Sequence, residues 1–70
     1  MLVYANGTYY RTTLHADEMM VERGITEYQI KETIENGTMR YGDSGQEIYS
    51  SSDLIVVVDD DRIITLFRKG

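Results

Sequence analysis

His15 is the only histidine of the chain, and Arg23 follows eight positions later with Gly24 directly behind it. On a helix that interval is a little over two turns, so both side chains project from the same side. An imidazole titrates near neutrality, and a guanidinium grips phosphate through paired hydrogen bonds. Metal-free cleavage of RNA asks for such groups: one to take the 2′-hydroxyl proton, one to protonate the leaving oxygen, and cations on the phosphorane. Near the C-terminus, Arg68, Lys69 and Thr65 extend the set. Arg40 adds a cation, and Tyr49, with Tyr41 on a neighbouring strand, offers a ring on which a base can stack. His15, Arg23 and Arg68 are thus the candidate catalytic residues, and Lys69, Tyr49, Thr65 and Arg40 the candidate substrate-binding residues. A plainer reading stands beside this one. A histidine at a helix start caps or packs, Arg23 neutralises the carbonyl end of its own helix, and tyrosines occupy rim and core positions.

Other chemistries lack their residues. With no cysteine and a single histidine, a metal would have only carboxylates and one imidazole. Asp59-Asp60-Asp61 lacks the spaced ligands and closing Glu of a calcium loop. No glycine-rich phosphate loop and no nucleophile elbow occurs. Neither a metal nor a cofactor is therefore expected.

Twelve acids against seven bases give a net charge of −5, which opposes indiscriminate attraction to nucleic acid. No apolar run approaches the roughly 20 residues of a membrane span, and Met1-Leu2-Val3-Tyr4 lacks the pattern of a signal peptide. The expectation is a cytoplasmic chain that avoids membranes. Seventy residues make one domain, spanning residues 1–70, whose stability is marginal without disulfides.

The elements that must position those residues follow from local signals. Asn6-Gly7 between Leu2–Ala5 and Thr8–Thr12 predicts a β-hairpin with a type I′ turn. Thr12 or Thr13 caps a helix over Leu14–Arg23, which Gly24 stops. Thr26 with Gln29 forms a capping box, Ile25 and Ile30 a hydrophobic staple, and Ile30, Thr33 and Ile34 the buried face of a second helix. Asn36-Gly37 ends it. Strands follow at Thr38–Tyr41, Gln46–Ser50, Leu54–Val58 and Arg62–Arg68, the third an unbroken aliphatic run suited to a sheet centre. The expected architecture is α+β: an N-terminal β-hairpin and two short helices packed on a curved four-stranded antiparallel sheet.

The run His15-Ala16, then Met20, Glu22, Arg23, Gly24 and Ile25, followed by Asn36-Gly37, Val57-Val58-Asp59 and Ile63-Ile64-Thr65, resembles a family of small prokaryotic domains of unknown function grouped with RelE-like toxins. The likeness spans His15 to about Arg68. It implies a RelE-like fold with a site in the sheet's concave face, where His15 and Arg23 meet Thr65 and Arg68. The wider relatives are metal-independent ribonucleases. Met19 departs from the arginine that this family carries four residues after the histidine, and the chain is acidic where such ribonucleases are basic.

Two functional readings result. One is a toxin-type ribonuclease acting on RNA, with an antitoxin or the ribosome as partner. The other is a non-catalytic acidic protein, of the phage-inhibitor kind, that imitates nucleic acid and docks on a basic host nuclease or defence complex. The residues leave enzyme and non-enzyme both open. A homodimer is a third expectation, with Arg62–Arg68 pairing to its copy at a sheet edge.

Overall fold

A computed structural model describes residues 1–69. Six strands and two helices follow in the order β1 (Leu2–Ala5), β2 (Thr8–Thr12), α1 (Leu14–Arg23), α2 (Glu27–Asn36), β3 (Thr38–Tyr41), β4 (Glu47–Ser50), β5 (Leu54–Asp59) and β6 (Arg62–Arg68). The α+β class holds. The four antiparallel strands do not stand alone, however: all six form one mixed sheet in the order β1-β2-β6-β5-β4-β3.

The difference has one physical cause. The meander β3–β6 is antiparallel throughout, but β2 lies parallel to β6, with Arg11 beside Arg62 and Thr12 beside Ile63. The opening hairpin is thereby built into the same sheet. This places β6 in the interior, so the expectation that it sits at an edge and pairs with its copy is overturned. The edges are β1 and β3.

Local signals act as their chemistry dictates. Asn6 and Gly7 take φ of 51° and 76°, the type I′ turn that joins β1 to β2. Thr13 caps α1 by accepting from the Ala16 amide, and Gly24 closes it with φ 64°. The capping box of Thr26 and Gln29 opens α2. The β5–β6 turn repeats the type I′ geometry on two aspartates, Asp60 at φ 51° and Asp61 at φ 63°. A left-handed backbone is costly for residues with a Cβ, so Asp61→Gly should stabilise the domain by about 1 kcal/mol, read as a raised urea midpoint.

The core fills the space between the helices and one sheet face. Val3, Ala5, Tyr10, Val56, Val58, Ile63 and Leu66 meet Ala16, Ile25, Ile30 and Ile34. Ile63 and Leu66 both point inward although three positions separate them, because the β5–β6 register shifts between Val57 and Val58 and leaves Ile64 as the extra residue. That bulge also serves β2: the Ile64 carbonyl accepts the Thr13 hydroxyl at 3.3 Å, and the Ile63 carbonyl accepts the Thr13 amide at 3.1 Å. α1 packs over β6 and β2. α2 contacts both β1 and β5, which two strands separate, so the sheet curls around that helix. Among the described residues the opposite sheet face carries no helix.

Candidate functional site

Alternation along each strand sorts the candidate residues by face. Val56 and Leu66 are buried on the helix side, so their neighbours Val57 and Thr65, paired in register, lie on the open side. Ile48 pairs with Val57, and Arg40 with Ile48, which puts Arg40 in the same cross-strand row as Thr65. Three strand spacings separate the two, about 14 Å.

Arg68, two positions beyond Leu66, returns to the helix side. Its Nε donates to the Arg23 carbonyl at 3.1 Å and its Nη2 to the Gly24 carbonyl at 3.1 Å. Its Nη1 pairs with Asp53 at 2.7 Å. The guanidinium thus satisfies the terminal carbonyls of α1 and ties them to the β4–β5 link. Lys69 is engaged nearby, with Nζ 3.3 Å from Ser50 Oγ and 3.0 Å from the Ser51 carbonyl. The common hollow expected of His15, Arg23, Arg68 and Thr65 is therefore not assembled, because the sheet stands between Thr65 and Arg68.

His15 is exposed on α1. Glu18 and Glu22, three and seven positions on, share its side of the helix and are exposed as well. Two carboxylates beside an imidazole repel a phosphate rather than gather it. Arg23 is exposed at the far end of the same helix.

Tyr49 lies on the helix side of β4, packed against the core, and its hydroxyl donates to Glu47 at 2.9 Å. Its ring is turned away from the open face. Burial, reinforced by the Glu47 hydrogen bond, pushes its phenol well above the ordinary value of 10.0. A raised folded pKa means that the native state holds this proton where the unfolded chain has released it, so stability is retained below pH 10 and falls as pH rises beyond it. An ultraviolet titration should show one of the six tyrosines ionising after the rest, and Tyr49→Phe should remove that late step.

A groove of ≈ 610 Å³ runs between α2 and the β4–β5 link, lined by Tyr28, Glu32, Asn36, Ser50, Ser51 and Lys69 among others. Its polar groups are largely bonded to one another. Glu32 accepts from Tyr28 at 3.4 Å and from Asn36 at 2.6 Å, while Lys69 holds the serines.

The open face holds what the sequence alone did not single out. Arg11 and Arg62 are register partners on adjacent parallel strands, both exposed on that face. Their Cα atoms lie about 4.8 Å apart at ordinary strand spacing. Among the described residues neither side chain forms an ion pair or a hydrogen bond, although Asp59 stands opposite Arg62 on β5. Like charges side by side on a sheet are mutually destabilising, and an anion laid between them relieves the repulsion. Tyr4 and Tyr9 border the pair with ring centroids 4.7 Å apart, Tyr9 being 64 % exposed. Phe67 is exposed toward the other end of the face. Strand alternation flags Arg11 as outward, since Tyr10 and Thr12 flank it; its meeting with Arg62 depends on a parallel pairing that no local signal encodes.

Asp59, Asp60 and Asp61 stand at the β5–β6 turn beside the doublet, and half of the twelve acids lie on the helices. α1 carries Asp17, Glu18 and Glu22, and α2 carries Glu27, Glu32 and Glu35. No helix among the described residues is long and apolar enough to cross a membrane. Comparison with curated proteins and with solved structures yields no match. One family profile covers residues 12–68, from the end of β2 through β6, and by that match the chain belongs to DUF4258, a domain of unknown function.

Proposed function

We propose that this chain is a RelE-like, toxin-type domain that holds single-stranded RNA on the open face of its sheet. The Arg11–Arg62 doublet carries the reading: two adjacent guanidiniums with no ion-pair or hydrogen-bond partner among the described residues, on the sheet face away from the helices, in a chain whose net charge is −5. A phosphodiester between them would turn a repulsive contact into paired charge-assisted hydrogen bonds. Tyr9 and Phe67 offer exposed rings for bases, and stacking on such rings contributes about 1–3 kcal/mol per base. Arg40 would take a phosphate farther along the strand, beyond the Ile48-Val57-Thr65 row. Metal-independent cleavage is the activity to be measured beside binding, although His15, on α1 at the helix side of the sheet, does not face RNA held on the open side.

Anisotropy of a labelled single-stranded RNA at low salt provides the test. Arg11→Ala with Arg62→Ala should weaken binding at least tenfold and reduce the slope of log affinity against log salt by about 1.4, two phosphate contacts on a single strand. Equal binding by wild type and double variant would remove the proposal. RNA that stays intact in chelator at high protein concentration would end the ribonuclease part and leave the binding part standing.

The acidic-inhibitor reading draws on a different surface. Leu14 and Val21 are 77 % and 85 % exposed, a heptad apart on the outer pole of α1, with Glu18 between them and Glu22 alongside. A basic partner such as a host nuclease would cover that pole. Reversing Glu18 and Glu22 to lysine would abolish such docking and leave RNA affinity undiminished.

A further inference from the structure

The two edges of the sheet are treated differently. In β1, the Thr12 amide donates to the Met1 carbonyl, so alternation turns the Tyr4 carbonyl and the Asn6 amide outward. Both are occupied from α2: Lys31 Nζ donates to the Tyr4 carbonyl at 3.4 Å, and the Asn6 amide donates to Glu35 at 3.2 Å. The Asn6 side chain further donates to the Ile34 carbonyl at 3.2 Å. α2 thus covers the turn end of this edge, while the Leu2 amide and carbonyl and the Tyr4 amide, outward by the same alternation, have no hydrogen-bond partner among the described residues.

The β3 edge has no such guard. The Gly42 amide donates to the Gln46 carbonyl at 2.8 Å, and the register continues through Arg40↔Ile48 and Thr38↔Ser50. Alternation therefore directs the amide and carbonyl of Met39 and of Tyr41 away from β4. None of these four groups has a hydrogen-bond partner among the described residues. All four residues of β3 are exposed. No proline, bulge or lysine interrupts the strand. On the helix side the edge is flanked by Met39, 42 % exposed, and Tyr41, 68 % exposed; on the open side stands Arg40.

We infer that β3 is a docking edge for an extended segment of a partner protein that pairs antiparallel with it and carries a carboxylate opposite Arg40, between two apolar residues. Four main-chain hydrogen bonds to Met39 and Tyr41 supply the adhesion. The carboxylate and the apolar contacts on Met39 and Tyr41 supply the selectivity. A second copy of this chain is the wrong occupant. The two-fold register that uses all four groups pairs each Met39 with the other chain's Tyr41. It sets the two Arg40 side chains directly opposite in a non-hydrogen-bonded pair, where side chains are closest and like charges repel. The Arg11–Arg62 doublet lies on β2 and β6, so Arg40 is the one residue this edge shares with the RNA reading, and Arg11→Ala with Arg62→Ala tests that reading without touching the edge.

The probe is a blocked peptide, acetyl-Ser-Thr-Val-Glu-Val-Thr-Ser-amide, titrated into the labelled domain and followed by amide NMR. Shifts should concentrate at Met39, Arg40 and Tyr41. Exchanging the central glutamate for lysine should weaken binding at least fivefold, and Arg40→Glu should reverse that preference. Tyr41→Pro removes an outward donor while leaving the β3–β4 bonds, and it should abolish binding. Shifts that map elsewhere, equal affinity for the two peptides, or saturation of the edge by self-association would each overturn the inference. Because Arg40→Glu touches only an exposed side chain, its result decides the matter even if the proline variant unfolds.

Discussion

Gly37→Ala is expected to destabilise the domain by about 3 kcal/mol, the upper range for forced overpacking. A Cβ at this position would sit 2.5 Å from the Ser50 carbonyl oxygen and 2.5 Å from that of Thr33. Both obstacles are main chain, so neither can rotate aside. The Gly37 backbone is not left-handed, with φ −81°, and its requirement is space alone. The α2 terminus could admit a methyl group only by moving off β4, which would also disturb the α2 packing on β5. Urea denaturation of the alanine variant measures the loss. A change below about 1 kcal/mol would mean that the α2–β4 contact is softer than its geometry states.

Leu66→Ala should cost a similar amount, about 3 kcal/mol, through lost burial and the cavity left behind. Leu66 is fully buried at the middle of the central strand, paired with Val56. Phe67, one position on, faces the open side at 39 % exposure, so Phe67→Ala should cost much less despite the larger deletion. Thermal unfolding of the two variants separates them. In a domain this small, the Leu66 loss is a large fraction of total stability, and the variant should melt far below the wild type. Equal melting temperatures would mean that the face assignment of β6 is wrong.

Much of this architecture is written locally in the chain. Asn6-Gly7, Thr13, Gly24 and the Thr26–Gln29 box mark turns and caps through interactions within a few residues, and each element they bound appears where those interactions place it. The parallel pairing of β2 with β6 has no such signature. It is set by the bulge at Ile64 and by the fit of α1 over both strands, and these are tertiary facts. Missing it hid the meeting of Arg11 with Arg62 and made β6 look like an edge. The candidate residues show the same limit. Arg68 and Lys69 read correctly as cations, but a sequence does not say what a long side chain reaches. Arg68 reaches the end of α1, Lys69 the serines of the β4–β5 link, and Tyr49 the core.

The central strand also governs how the domain can be made. Thr12 and Ile63 are neighbours in space and 51 positions apart in sequence. Before that loop closes, the chain holds a ribbon at one end and a meander at the other, and neither can shield its apolar surface alone. Assembly is accordingly a late, all-or-none event. An internal nick yields two sticky fragments, and arrest of synthesis before Arg62 yields one, rather than a smaller working unit.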